Sequence, residues 1–140
     1  MKIYVAGASS EIERAEAMIM RLRSEGIEVT CTWTVNIRKV GHGNPADATH
    51  EQRFKWSKQD LREVQEAHLL WFLLPRAPNT TFGAWVELGF AFARGKQLVL
   101  SGHSNNIFVG LGRVFSDDEE AFNAIIGAKR IGAYECVESI

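Results

Sequence analysis

Apolar residues in this 140-residue chain alternate between short continuous runs and stretches with helical spacing. Continuous or alternating runs predict strands, and the wider spacing predicts helices. The predicted strands are Lys2–Ala6, Ile27–Trp33, Leu69–Leu74, Gln97–Ser101 and Arg113–Phe115. The first predicted helix begins at a serine N-cap in the turn Gly7–Ser10 and ends at a capping glycine, Gly26. Three further helices are predicted from about Glu51 to Ala67, from Gly83 to about Arg94, and from Ser116 onward.

Strands and helices that alternate in units of this length favour an α/β fold. We expect a Rossmann-like or flavodoxin-like doubly wound parallel sheet of about five strands, with helices on both faces and right-handed crossovers. Ligands of such sheets bind beyond the carboxyl ends of the strands. Thr34–Thr49 has no clear period and is predicted to be a long loop, either functional or a plain surface excursion. The pattern assigns no structure to residues 127–140.

The composition is that of an ordinary globular protein, with 46% hydrophobic and 24% charged residues. At this length a single domain covering residues 1–140 is expected. The 16 Lys and Arg residues are balanced by 17 Asp and Glu. The chain therefore lacks the basic excess that draws proteins onto nucleic acid polymers or acidic membranes, and a small molecule is the expected partner.

Cysteine and histidine spacing suggests no metal-binding motif, and we expect neither a metal nor another cofactor. Cys31 and Cys136 lie far apart and predict no disulfide framework, which fits a reducing cytoplasm. The apolar start is too short for a signal peptide, and no stretch approaches the roughly 18 apolar residues of a membrane span. No membrane association is expected.

Glu87 is the one ionisable residue between Arg76 and Arg94. Its neighbours three and four positions away on the predicted helix are small or apolar: Gly83, Ala84, Phe90 and Ala91. Burying an unpaired charge is costly, so either a function or a structural pairing must account for this carboxylate. Its place near the helix N-terminus favours the ionised form that a nucleophile needs.

Asp60 and Tyr4 are predicted to lie near Glu87. Asp60 stands about 12 Å of helix before the central strand, which places it toward the carboxyl end of that strand. Tyr4 lies in the first strand, and its phenol can donate a hydrogen bond to a carboxylate. Simpler explanations are a solvated surface acid for Asp60 and core packing for Tyr4.

The turn Gly7–Ser10 offers backbone N–H groups and the hydroxyls of Ser9 and Ser10 to an anion such as a phosphate group. A simple N-cap turn explains this segment equally well. Trp33, at the end of a predicted strand, is the aromatic residue considered for stacking on a base, with core packing as the alternative.

Three segments together carry a family resemblance. They are Tyr4-Val5-Ala6-Gly7, Gln59-Asp60-Leu61 followed by Ala67 and a buried strand, and Gly83-Ala84-Trp85-Val86-Glu87-Leu88-Gly89-Phe90-Ala91 with Gly95-Lys96 behind it. Their order and spacing cover roughly residues 1–101. In this arrangement the chain resembles the nucleoside 2-deoxyribosyltransferase-like superfamily, including its 2′-deoxynucleoside 5′-phosphate N-hydrolase branch.

The resemblance implies cleavage or exchange of the N-glycosidic bond of a nucleoside or nucleoside 5′-monophosphate. Glu87 looks like the nucleophile that forms a covalent glycosyl-enzyme. Asp60 looks like the acid that contacts the base and handles its proton, and Tyr4 like the tyrosine that orients the nucleophile. Thr81 occupies the place of a sugar contact. The other residues assigned to substrate binding are Gly7, Ser9, Ser10, Trp33, Gly83, Ser104 and Asn105.

The resemblance also implies a homodimer or higher homo-oligomer, because a loop of a neighbouring subunit often completes the pocket in this family. Ser104-Asn105-Asn106 is the candidate loop here. The chain departs from the pattern at His68, where an aspartate is usual, and at Thr81, where a serine or aspartate is common. The departure at Thr81 leaves open the sugar preference and whether the reaction is transfer or hydrolysis. Whether the substrate carries a 5′-phosphate is also open, because Ser9, Ser10 and the loop with Arg38 and Lys39 could serve either substrate.

Two other functions remain open from the sequence. One is a Rossmann-like nucleotide-binding or sensing module that retains the pocket without turnover. The other is hydrolysis of a different N-ribosyl bond, such as that of NAD, which would use the same carboxylate with another leaving group.

Overall fold

The computed structural model describes residues 1–77 and 81–131. Within these residues a parallel sheet has the strand order β2-β1-β3-β4-β5. The strands are β1 (Lys2–Ala6), β2 (Glu28–Val29), β3 (Leu69–Leu73), β4 (Gln97–Ser101) and β5 (Arg113–Phe115). The α-helices are α1 (Ile12–Ser24), α2 (Trp33–Ile37), α3 (His50–Glu66), α4 (Gly83–Ala93) and α5 (Asp118–Arg130). The predicted flavodoxin-like doubly wound α/β fold is confirmed.

Helices cover both faces of the sheet. The connection from β1 to β2 runs toward one edge of the sheet. The connections from β2 to β3 and from β3 to β4 run toward the other edge. Because such crossovers are right-handed, α1 lies on the face opposite α3 and α4. α5 joins α1 on its face, where Arg14 and Arg21 bond to Asp118 and Glu119.

The core centres on β3, whose five residues are all buried. A central strand of a parallel sheet is covered on both faces, which is why its sequence is continuously apolar. The indole N–H of Trp71, a polar group in this core, donates a hydrogen bond to Ser101 Oγ at 2.9 Å.

Helix ends follow recognisable capping patterns. Thr49 and Gln52 form a capping box at the start of α3, and the Asp117 side chain accepts a hydrogen bond from Glu120 N at the start of α5. Gly26 and Gly95 have φ values of 76° and 71° after α1 and α4. These positive φ values favour glycine and confirm both predicted helix ends.

The second predicted strand was too long. β2 comprises Glu28–Val29, and the segment that follows forms the short helix α2 rather than a strand end and a loop. Backbone pairing explains the difference, because β2 is an edge strand whose register with β1 covers two residue pairs. The rest of the predicted loop contains short 3₁₀ turns at Gly41–Gly43 and Pro45–Asp47.

Two further details differ from the sequence expectations. The predicted serine N-cap is wrong, because Ser9–Glu11 forms a 3₁₀ turn and no side chain caps this turn or α1. The previously unassigned residues 127–130 form the last turn of α5. Residues 132–140, with Cys136, and residues 78–80 of the predicted turn before α4 lie outside the described residues.

Candidate active site

A cleft of about 360 Å³ opens at the carboxyl ends of β1 and β3. Here the chain leaves β1 toward one edge of the sheet and β3 toward the other, which is where doubly wound folds bind ligands. Its lining residues are Gly7, Ser9, Trp33, Asn36, Ile37, Pro45, Trp56, Asp60, Thr81, Phe82, Gly83, Ala84 and Glu87. The volume lies within the range of small-molecule sites.

Tyr4 and Glu87 are joined at the base of this cleft. Tyr4 is fully buried in β1, and its hydroxyl donates a hydrogen bond to Glu87 Oε2. Glu87 projects from the second turn of α4 and is partly accessible from the cleft. The two residues are 83 positions apart, so the fold itself creates this pair.

Asp60 comes to the same cleft from α3. Its Oδ1 atom is buried and has no hydrogen-bond partner within residues 1–77 and 81–131. Leaving a buried acceptor unpaired is unfavourable, and such groups are rare in folded proteins. The Asp60 carboxyl group is therefore available to a donor on a ligand.

Both carboxyl groups hold their protons more tightly than usual. Burial raises the pKa of Glu87 to about 8; the Tyr4 hydrogen bond opposes this rise, and the charges of Asp60 and Glu63 add to it. Burial, with the charge of Glu63, raises the pKa of Asp60 to about 7. The sequence suggested that the α4 dipole favours ionised Glu87, but burial outweighs any such effect.

Aromatic side chains form the walls of the cleft. The Trp33 indole donates to the Val5 carbonyl at 2.8 Å, which fixes the ring beside the end of β1. Trp56 of α3 and Phe82, which is 77% exposed, add further apolar surface. The cleft therefore combines flat apolar walls with a carboxyl pair, a combination suited to a planar ring carrying polar groups.

The structure brings most of the sequence-predicted site residues together. Gly7, Ser9, Trp33, Thr81 and Gly83 line the cleft with Asp60 and Glu87. Trp33 does so from the start of α2 and not from a strand end.

Three predicted substrate contacts lie elsewhere in this chain. Ser10 lines a neighbouring cavity that shares Ser9 with the cleft. Ser104 and Asn105 line another cavity, of about 570 Å³, which shares Thr81 and Phe82 with the cleft. Within one copy of the chain, these three residues do not line the cleft itself.

Sequence reasoning missed several cleft residues: Asn36, Ile37, Pro45, Trp56, Phe82 and Ala84. Most of them belong to the segment interpreted as a loop or were assigned to the core. Asn36 is buried and donates to Gln59 at 3.4 Å, which connects α2 to the helix that carries Asp60. In the sequence, the helical spacing of Trp33, Asn36 and Ile37 is the one pattern that could have indicated that these residues share a helix face.

Within the described residues, no cluster of His, Cys, Asp and Glu side chains is arranged to hold a metal ion. In that same part of the chain, no helix combines the length and apolar character needed to cross a bilayer.

Several solved structures are similar to this chain, including the following two. A 2-deoxyribosyltransferase from Bacillus psychrosaccharolyticus matches with a TM-score of 0.63 and 23% identity, over 88% of this chain and 91% of that chain. A CMP N-glycosidase from Clostridium botulinum matches with a TM-score of 0.56 and 19% identity, over 89% and 98%. No family model matches the sequence, and no curated protein matches it significantly. This chain therefore has the same fold as a 2-deoxyribosyltransferase and a CMP N-glycosidase, which is the fold that its sequence resemblance predicted.

Proposed function

We propose that the protein cleaves or exchanges the N-glycosidic bond of a nucleoside or nucleoside 5′-monophosphate. The observation that carries the proposal is the pairing of Glu87 with Tyr4 in a cleft where Asp60 presents a buried, unpartnered carboxyl oxygen. The two solved structures of the same fold support it, since one is a 2-deoxyribosyltransferase and the other a CMP N-glycosidase.

The proposed reaction has two displacements on the sugar. In the first, Glu87 Oε1 bonds to the anomeric carbon while the bond to the base breaks, and the departing base nitrogen takes a proton from Asp60. In the second, water or an acceptor base attacks the same carbon, gives its proton to Asp60, and releases Glu87. Tyr4 holds Oε2 throughout, which leaves Oε1 to react.

The proposed roles need opposite protonation states. Glu87 must lose its proton and Asp60 must keep one, although the pKa of Glu87 is about 8 and that of Asp60 about 7. The active form is then the less populated one, in which Asp60 is protonated and Glu87 is ionised. Rates should be highest at a pH between the two pKa values. A bell-shaped dependence of kcat/KM on pH is expected.

The lining of the cleft suggests how the substrate is placed in this proposal. The base lies between the Trp33 and Trp56 walls near Asp60, and the sugar lies over Glu87 with Thr81 and Gly83 beside it. Gly7 and Ser9 contact the far end of the sugar, and Ser10 in the adjoining cavity contacts a 5′-substituent where one is present.

A second copy of the chain completes the site in this proposal. Supporting it are large apolar side chains left exposed around α4 and the neighbouring loops: Phe82, Val86, Phe92, Ile107 and Phe108. A homodimer would cover such surface and bring Ser104 and Asn105 of one copy to the cleft of the other. Mixing inactive Glu87→Ala and Asn105→Ala proteins should then restore activity through hybrid dimers, whereas a loop acting within its own chain restores none.

The primary experiment is a chromatographic screen for released base. Wild type, Glu87→Ala and the control Glu66→Ala, an exposed glutamate on α3, are incubated with deoxy- and ribonucleosides, their 5′-monophosphates and NAD. Wild type and the control should release base, and Glu87→Ala should lose about 10⁴-fold or more in rate. Dependence on an added acceptor base distinguishes transfer from hydrolysis.

The screen also tests the alternatives. Release of nicotinamide alone would assign the cleft to NAD-type substrates. Tight binding of a nucleotide with no product from any substrate would contradict the proposal in favour of a binding module. Undiminished turnover by Glu87→Ala would remove Glu87 from the nucleophile role.

A further inference from the structure

Glu63 is a buried carboxylate behind the cleft that the proposed reaction does not use. It lies one helical turn after Asp60 on α3 and is 9% exposed. Within the described residues no Lys or Arg forms an ion pair with it. Buried charges without a cation are retained only where other groups stabilise them.

Hydrogen bonds from the segment before α2 take the place of a cation. The Thr32 backbone N–H donates to Glu63 Oε1 at 3.0 Å, and the Thr32 hydroxyl lies 2.9 Å from Oε1 and 2.8 Å from Oε2. The Thr30 hydroxyl donates to the Glu63 backbone carbonyl at 2.8 Å. Glu63 thus binds both threonines that lead into Trp33.

We propose that Glu63 is a positioning residue, which fastens the Thr32–Trp33 segment to α3 and holds a fixed negative charge one helical turn behind Asp60. The first effect acts on the shape of the cleft, because Trp33 is both the next residue and a cleft wall. The second acts on the proton of Asp60. Its consequence for catalysis rests on the proposed function, but the placement of Asp60 and Glu63 does not.

Among residues 1–77 and 81–131, the titratable groups that interact electrostatically with Asp60 are acids. Asp60 interacts electrostatically with three titratable side chains, which are Glu63 of α3, Glu87 of α4 and Tyr4 of β1. Residues three apart on a helix face are about 5–6 Å apart at Cβ. A negative charge at this range favours the protonated form of a neighbouring carboxyl group.

Removing the charge while keeping the shape tests the second effect. Glu63→Gln retains an oxygen that accepts from Thr32, and the control Glu66→Gln removes a charge from the exposed side of the same helix. The Asp60 carboxyl carbon is followed by NMR through a pH titration in each protein, with Asp60→Asn identifying its signal. The midpoint should fall by roughly one pH unit in Glu63→Gln and stay in place in the control.

Removing the hydroxyl while keeping the charge tests the first effect. Thr32→Val deletes one donor to Glu63 but leaves the backbone N–H donor and the carboxylate. KM should rise roughly 3- to 10-fold with kcat little changed, and the Asp60 midpoint should not move. Thr32→Ser, which restores the hydroxyl, should return KM to the wild-type value.

The outcomes separate this proposal from the proposed function. An unmoved Asp60 midpoint in Glu63→Gln, or an equal shift in Glu66→Gln, overturns the role of the Glu63 charge, and this holds even where wild type releases no base. An unchanged KM in Thr32→Val overturns the fastening role. Where Glu63→Gln fails to fold, Thr32→Val still tests the fastening role, and an unchanged KM in it overturns that half of the proposal.

Discussion

Tyr4 and Glu87 form a polar pair at the base of the cleft. Burying either side chain without the other would cost stability. Tyr4 is fully buried in β1, where its hydroxyl needs a partner, and Glu87 is placed by α4 with Ala84, Leu88 and Ala91 packed into the core around it. The pair costs stability and provides a carboxyl group of defined orientation. This is the exchange of stability for function expected at an active site.

Replacing Tyr4 by Phe should weaken activity and shift its pH dependence. The Tyr4 hydrogen bond lowers the pKa of Glu87, so its loss moves that pKa above about 8. Because the active form has Glu87 ionised and Asp60 protonated, this displaces the alkaline limb of kcat/KM, which follows the higher of the two pKa values, to higher pH. A hydrogen bond to a charged group contributes about 1.5–3 kcal/mol, which predicts a roughly 10- to 100-fold loss in kcat/KM near neutral pH. Steady-state rates between pH 5 and 10 check this, and an unshifted alkaline limb would contradict it.

Glu87→Gln should stabilise the protein at alkaline pH. The folded-state pKa of Glu87 is raised to about 8 from an ordinary 4.5, so the folded protein binds the extra proton and stability falls as pH rises between these values. A glutamine does not ionise, and it can still accept from Tyr4. Its Tm should exceed that of wild type by a few degrees at pH 9, with a smaller difference at pH 5. Equal Tm differences at both pH values would exclude this account.

At the scale of elements, α3 determines the chemistry of the cleft. It carries Asp60 and Trp56 into the lining of the cleft and Glu63 toward the segment before α2. Its start is fixed by the capping box of Thr49 and Gln52. The helix is therefore tied at its N-terminus and, through Glu63, along one side.

Thr49→Ala should destabilise the fold through α3. The substitution removes the side chain that accepts from Gln52 N, and loss of such a cap costs about 1 kcal/mol. Urea denaturation should show this decrease with an unchanged m value. Thr49→Ser, which keeps the hydroxyl, serves as the control, and equal destabilisation by both variants would exclude the cap as the cause.

The sequence predicted the strands and the longer helices because burial sets their pattern. Leu69–Leu73 is apolar throughout since both sheet faces are covered, and Gly26 and Gly95 mark helix ends by their backbone conformation. The helix α2 was missed because Trp, Thr, Val and Ile favour strands in isolation, while Glu63 and the Val5 carbonyl hold this segment from distant parts of the chain.

The candidate site likewise contains residues that the sequence identifies and residues that only the fold reveals. Glu87 was conspicuous as a lone carboxylate in an apolar run, whereas Asp60 stands in a charged string and resembles a surface acid. Trp56 gave no local signal, because nothing in its own neighbourhood distinguishes a cleft wall from the core. Roles that arise from distant contacts require the fold.

At the scale of the whole molecule, a partly buried ionic network joins both halves of the sheet. The Arg14 guanidinium of α1 binds Asp118 of α5 at 2.7 and 2.8 Å and the Leu74 carbonyl after β3 at 2.7 Å, and Ser101 of β4 also donates to Asp118. Although burial opposes it, these bonds hold the pKa of Asp118 below its usual range. The network fixes α1 and α5 to the strand ends beside the cleft.

Arg14→Leu should cost about 3 kcal/mol in the free energy of unfolding, because it leaves the largely covered Asp118 carboxylate, 13% exposed, without its cation. The deficit should shrink as pH falls into the acid range, since the stability contributed by a carboxylate of lowered pKa is lost on protonation. Arg21→Leu is the matched control on the same helix: it breaks the exposed pair with Glu119 and should cost at most about 1 kcal/mol. Equal costs in urea denaturation would show that burial does not distinguish the two pairs.

The order of the strands also affects how the chain is made. Tyr4 precedes Glu87 by 83 residues, so at a synthesis rate of about 5–20 residues per second it waits roughly 4–17 s on the ribosome for its partner. β1 gains both of its neighbours, β2 and β3, once Leu73 has been made, whereas β3 waits for β4 and β4 waits for β5. The first strand can therefore take its place in the sheet before its tyrosine has a partner, and the Tyr4 hydroxyl lacks Glu87 until translation has passed residue 87.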